Sequence, residues 1–147
     1  MGFTFRYDAL LSYRERMKEQ AEIELARVRR RVREAWDALG LYRQSLAKTN
    51  TSFGSRLKTR ISSGEIKNHR DYLTGMGAKI KAQEREIQKQ EEIEKEKLED
   101  LLTKTKQYKV IEKLKEKDYR KWQQKQLREE QNRMNEVAVT RHGRVSL

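Results

Sequence analysis

The sequence predicts an all-α fold: a long two-helix antiparallel coiled-coil hairpin whose second helix is longer than the first. Three observations predict it. Charged residues make up 39% of the 147 residues and hydrophobic ones only 35%, too few for a compact globule but enough for the narrow buried seam of paired helices. The chain contains no proline, the residue that most often breaks a helix interior, while the helix formers Glu, Lys, Arg and Gln abound. Apolar residues in the first third recur every seven positions, which disordered chains of similar polarity do not show.

The first helix is expected over about 7–50. Leu11, Leu25, Val32, Leu39 and Leu46 fall at one heptad position, and Tyr7, Ala21, Val28, Ala35 and Tyr42 at the other. Arg14 and Lys18 are the polar exceptions. The small Ala21 and Ala35 let a partner helix approach closely, and Asp8 suits the positive end of the helix dipole. The reversal is expected over about 50–64, where Thr, Asn, Ser and Gly compete with helix. Ser62 followed by Glu65 reads as a capping box for the next helix.

The second helix is expected over about 65–137. Leu73, Met76, Ile80, Ile87, Leu98, Leu101, Tyr108, Ile111, Leu114 and Trp122 supply its seam, less regularly than in the first helix. Glu91 and Glu94 interrupt the stripe, so residues 88–97 are expected to be the weakest stretch. At ~1.5 Å per residue the helices run to ~60–75 Å and ~110 Å. Folding about residue 60 sets Leu39 near Ile80, and Leu11 near Tyr108 and Ile111. The second helix then overhangs the amino terminus with Trp122, Leu127, Met134 and Val137 unpaired. Residues 138–147 read as a mobile tail. The whole is one coiled-coil domain, 1–147.

The residues exclude several function classes. No apolar run approaches a membrane span, and no signal-peptide core follows Met1. Cysteine is absent, which excludes disulfides and fits a reducing compartment. His69 and His142 lie far apart with no metal-ligand spacing, and no phosphate-cradling loop is present. No catalytic site, metal or cofactor is therefore expected. The formal net charge of +12 favours acidic partners without choosing among them. The run Arg27-Val28-Arg29-Arg30-Arg31-Val32-Arg33 reads first as heptad flanks pairing with Glu91, Glu94 and Glu96, with some charge left for a partner. Trp36 reads as core-flanking; Trp122 reads equally as core-flanking or as an interface anchor.

The amino terminus, Phe3-Thr4-Phe5-Arg6-Tyr7-Asp8-Ala9-Leu10-Leu11-Ser12-Tyr13-Arg14, is followed by Glu19-Gln20-Ala21 and Glu24-Leu25-Ala26. It resembles the opening of the FliJ family of flagellar export proteins. A second block after the turn, Asp71-Tyr72-Leu73 with Met76 and Ile80, is similar to the family's Y-L-x-x-L-x-x-x-I stretch, with Met76 where the family often has Leu. The resemblance covers nearly the whole chain. It implies a soluble, non-enzymatic component of the flagellar type III export apparatus, cytoplasmic and peripheral to the inner-membrane machinery. Such proteins are similar to the central stalk of rotary ATPases. The implied partners are the export ATPase hexamer (FliI), the export gate protein FlhA and export chaperones, with no specific nucleic acid and with membrane association only through protein partners.

Carried onto this chain, the ATPase-binding end comprises Phe3, Phe5, Arg6, Leu10, Leu11 and Arg14 with Tyr119 and Trp122. The gate-binding end comprises Tyr42, Tyr72, Met76, Ile80 and Gln83. For Leu11 and Ile80 plain seam packing is the preferred reading. Phe3 and Phe5 lie ahead of the heptads with no evident core to join. Three alternatives stay open: the stalk of an injectisome, a basic nucleic-acid-binding coiled coil, and a dimeric scaffold.

Overall fold

The computed structural model describes residues 2–145, and the side chains of residues 2–143. Two helices account for almost all of it, and no strand occurs among the described residues. Helix α1 spans Asp8–Arg56 and helix α2 spans Ser63–Val145. The chain forms two compact units. Unit 1 joins the residues up to Glu19 with those from Thr103 onward, and unit 2 comprises Gln20–Leu102.

Unit 2 holds the reversal. The α1 residues buried there are Ala21, Leu25, Val28, Val32, Ala35 and Leu39, all of them heptad positions expected to be buried. Leu39, only 1% exposed, packs with Ala35 and Ile87, and Ile80 packs against this cluster. The pairing of Leu39 with the region of Ile80 is therefore as expected from folding about residue 60.

The turn is shorter than the expected 50–64, because α1 continues to Arg56. The hydroxyls that suggest a break instead donate to their own helix: Thr51 Oγ1 to the Ala47 carbonyl at 2.9 Å, and Ser55 Oγ to the Thr51 carbonyl at 3.2 Å. A Ser or Thr that bonds back four residues is tolerated within a helix. At the other side, the Glu65 amide donates to Ser62 Oγ at 3.2 Å, so Ser62 caps α2 as expected. Arg56 closes the turn on Glu65, with 3.1 Å to each carboxylate oxygen.

The α2 seam is more regular than its apolar residues suggest. Half-buried or buried positions recur at 69, 76, 83, 90, 97, 104 and 111, and again at 80, 87, 94, 101, 108 and 115. These are two unbroken seven-residue series. Polar side chains fill several of them, which is why an apolar count alone finds gaps. Gln83 is one: its Nε2 donates to the Ala35 carbonyl at 2.8 Å. Glu94 occupies a seam position, half-buried, and pairs with Arg29 at 3.4 Å. Lys97 pairs with Glu24 at 3.1 Å. Long polar side chains cover the apolar stripe with their stems and keep their charges at the rim.

Unit 1 pairs the start of α1 with the second half of α2. Arg14 donates to the Gln107 carbonyl at 2.8 Å, and Lys115 meets Asp8 at 3.1 Å. Beyond Trp122 the described side chains, residues 123–143, are all exposed. Helix α2 nevertheless continues to Val145 rather than ending near 137. Gln, Arg and Glu, good helix formers, sustain it over residues 123–136 without packing; beyond, Val137, Val139, Thr140 and Gly143 favour helix less, and no proline stops it. Within the expected 138–147 tail, Ser146 and Leu147 lie outside the described residues.

Candidate functional site

Unit 1 gathers the sequence-predicted ATPase-end residues, and it does so around aromatic rings. Phe3 meets Tyr119 edge-on, with centroids 5.3 Å apart, and lies 6.0 Å from Trp122. Tyr119 and Trp122, one turn apart on α2, stack at 5.8 Å. Phe5 packs edge-on against Tyr7 at 5.9 Å, and the Arg6 guanidinium sits 5.5 Å over the Tyr7 ring. Such offset and edge-on pairs are the geometries that ring quadrupoles favour.

This cluster changes the expectation for three residues. Phe5 is 5% exposed and Phe3 is half-buried, so both find a core that the heptad pattern does not reveal. The segment before α1 runs on along α2 past the Asp8–Lys115 pair and closes the end of the seam at Tyr119 and Trp122. Trp122, placed in the overhang by sequence, belongs instead to this closure, half-buried between Phe3 and Tyr119. The surface left for a partner is made of Arg6, Tyr7, Leu10, Tyr13 and Tyr119, all exposed. Leu11 and Arg14 are half-buried on the seam.

Deeper in unit 1, Lys18 Nζ lies 4.7 Å from the centroid of the Tyr108 ring. The Tyr108 hydroxyl donates to the Glu112 carboxylate one turn on. That bond, partial burial and the negative charges of Glu112, Glu15 and Glu19 push its pKa up from 10.0 to about 12. The proton is held because the bond and the neighbouring carboxylates all disfavour a phenolate.

In unit 2 the predicted gate-end residues lie mostly along the seam. Met76 is buried, Ile80 packs on the Ala35–Leu39–Ile87 cluster, and Gln83 bonds to α1. Tyr42 and Tyr72 are half-buried and present part of their rings outward. Met76, Ile80 and Gln83 thus face the seam rather than the surface. Sequence reasoning missed the neighbouring exposed apolar residues Leu41, Leu57 and Ile66. Leu41 lies off the α1 seam and Leu57 in the turn, while Ile66, near the start of α2, falls on the same seven-residue series as Ile80 and Ile87 yet stays exposed.

The basic run of α1 divides. Arg29 pairs with Glu94, and Arg30 pairs with Glu34 on its own helix at 3.3 Å. Glu91, expected to take an arginine, accepts the Trp36 indole N–H at 3.0 Å. His69, near the start of α2, is half-buried and stacks flat on Phe53 at 3.8 Å between centroids. Among the described residues no group of three or more His, Asp or Glu is placed to hold a metal ion, and no helix is long and apolar enough to cross a membrane.

No curated protein and no solved structure matches the chain. The model of one family, described as flagellar FliJ protein, matches residues 3–146. That span takes in both blocks of sequence on which the resemblance rests. The aromatic opening, the turn and both helices all fall within it, and the chain belongs to the FliJ family of flagellar, export-associated proteins.

Proposed function

We propose that this chain is a non-enzymatic stalk component of the flagellar type III export apparatus. Its amino-terminal segment and the facing part of α2 engage the export ATPase hexamer, FliI, by entering the ring or promoting its assembly. The half nearer the turn contacts the cytoplasmic part of the gate protein FlhA, and the chain has an escort role toward export chaperones as further partners. The observation that supports this reading most is the family match over residues 3–146. The aromatic and basic surface of unit 1 adds to it, since aromatic residues and Arg are the side chains that most often anchor protein interfaces.

Within that reading the contact residues take distinct roles. Arg6, Leu10 and Tyr119 are exposed and touch the ATPase. Phe3, Phe5, Leu11, Arg14 and Trp122 hold the surface in shape from behind. Tyr42 and Tyr72 present partial ring faces to the gate, on a backing of Met76, Ile80 and Gln83.

Mixing the purified chain with its ATPase tests this directly. Hydrolysis and hexamer assembly are expected to rise with added chain and to saturate. Arg6→Ala and Tyr119→Ala, both at exposed sites, are expected to weaken the effect by about tenfold or more, the scale of an interface anchor. Unchanged hydrolysis and assembly at saturating chain would sink the proposal. Phe5→Ala is a poor probe, because a buried ring is lost with it.

A further inference from the structure

From Thr103 to Arg128, helix α2 carries ten Lys or Arg against three Asp or Glu. The seam of unit 1 uses only some of these cations: Lys104 and Lys115 are half-buried, and Lys115 pairs with Asp8. The rest are sorted by the helix period. At 3.6 residues per turn, Lys106, Lys109, Lys113, Lys117, Arg120 and Lys121 share an arc of about 120°, on the side away from Tyr108 and Ile111. They follow one another over ~22 Å of helix. All six are exposed, and none makes an ion pair with a described residue. The acids of the same stretch fall outside the arc. Glu112 takes the Tyr108 hydroxyl, Asp118 is half-buried, and Glu116 lies on the flank.

We propose that this stripe lies against the headgroups of an anionic phospholipid bilayer and holds the chain directly at a membrane surface. The stripe is a row of cations on a convex helix face, with Val110 as the one apolar side chain among them. A tight protein interface needs a desolvated apolar or aromatic anchor at its centre, and the arc supplies none. Sequence-tolerant nucleic-acid binding uses aromatic faces free to stack on bases, but Tyr119 and Trp122 already stack on each other and pack against Phe3. What the arc does supply is a cluster of four to eight cations on one helix face, the pattern that anionic leaflets attract. Five of the six are lysines, compact point charges suited to a diffuse field rather than to bidentate recognition. The surface differs from the aromatic one assigned to the ATPase, so the proposal goes beyond the export-stalk reading and is tested without the ATPase.

The test uses the full chain with sedimentable vesicles of phosphatidylcholine alone, or of phosphatidylcholine mixed with phosphatidylglycerol. Binding is expected only to the mixed vesicles, and it should weaken as salt is raised. The triple variant Lys109→Gln, Lys113→Gln, Lys117→Gln is expected to lower partitioning about a hundredfold, at about fivefold per cation. A control triple, Arg27→Gln, Arg31→Gln, Arg33→Gln, removes equal charge from exposed sites of unit 2 and is expected to lower it less than tenfold. All six sites are exposed, so both variants should keep the circular dichroism of the parent. The proposal is overturned if the parent ignores phosphatidylglycerol, or if the two triples lose binding equally, which would make net charge the only cause. Duplex DNA displacing the chain from vesicles at ~150 mM salt, where non-specific duplex binding is weak, would overturn it in favour of nucleic acid.

Discussion

Two stretches of unit 2 bury the same kind of α1 stripe against unlike surfaces. Around Leu39 the partner surface is aliphatic, built from Ile80 and Ile87. Around Leu25 and Val28 it is mostly polar: Gln90, Glu94 and Lys97 are half-buried there with Ile93 as the one half-buried aliphatic among them, and the Arg29–Glu94 and Glu24–Lys97 ion pairs mark where the helices face. Yet Leu25 and Val28, at 4% exposure each, are nearly as buried as Leu39. Burial of one side of a helix pair is thus settled by whether the other side reaches over it, and the stems of Gln, Glu and Lys reach as well as Ile does. What differs is the quality of the contact. Aliphatic surfaces interlock, whereas flexible stems cover and then lose conformational freedom in doing so.

The largest expected effect separates the two stretches. Leu39→Ala should destabilise the chain by about 2–5 kcal/mol, the usual cost of emptying a packed leucine site. Leu25→Ala should fall at or below the bottom of that range, because mobile stems can close over the gap. Urea unfolding of both variants measures the difference, and equal losses would mean that the polar surface packs as rigidly as the aliphatic one.

A second test compares polar seam residues that do and do not have a partner. Tyr108, on the seam of unit 1, should titrate near pH 12 by phenolate absorbance rather than near its ordinary 10.0. A pKa raised on folding means the folded state holds the proton more tightly. The associated stability is complete below about pH 10 and is lost as pH rises through about 12. Tyr108→Phe should flatten that part of the stability profile, and a midpoint at the ordinary value would show that the Glu112 bond does not hold in solution.

Gln90 is the opposite case. Its Oε1 is buried without a hydrogen-bond partner, although its Nε2 reaches Glu86 at 2.9 Å. Gln90→Leu should therefore stabilise the chain by about 1 kcal/mol, by removing an unsatisfied acceptor and adding apolar contact. A loss of stability by thermal denaturation would show that the amide is needed for packing or register. The smallest effect belongs to the rim. A double-mutant cycle on Arg29 and Glu94, whose side chains are partly exposed, should give no more than ~1 kcal/mol of coupling. A larger value would make the ion pairs, rather than the stems, the source of cohesion in the polar stretch.

Much of this molecule was legible in its residues. The α1 heptads, the Ser62 cap and the pairing of Leu39 with Ile80 follow from spacing alone, because side-chain period and chain reversal are local properties. The aromatic opening and the block at Tyr72 were enough to suggest the family that the match over residues 3–146 shows. The true ends of α1 and α2 were not legible, since Thr51 and Ser55 could bond forward or back and only the helix they joined decided which. Nor was the polar half of the α2 seam, because a heptad filled by Gln83, Gln90, Glu94 and Lys97 has no apolar signature.

The sequence by itself determined that two long helices pair along a narrow stripe, since composition and period leave few other ways to bury so little apolar surface. Only the tertiary structure decided which aromatics close the seam and which remain outside. Phe3, Phe5 and Trp122 come from segments more than a hundred residues apart, and no local rule brings such segments together. It also decided that the cations of α2 divide into a few that serve the seam and a row that faces away from it. That division depends on which side of α2 meets α1 within unit 1, and the side is chosen by the packing there rather than by the cations themselves.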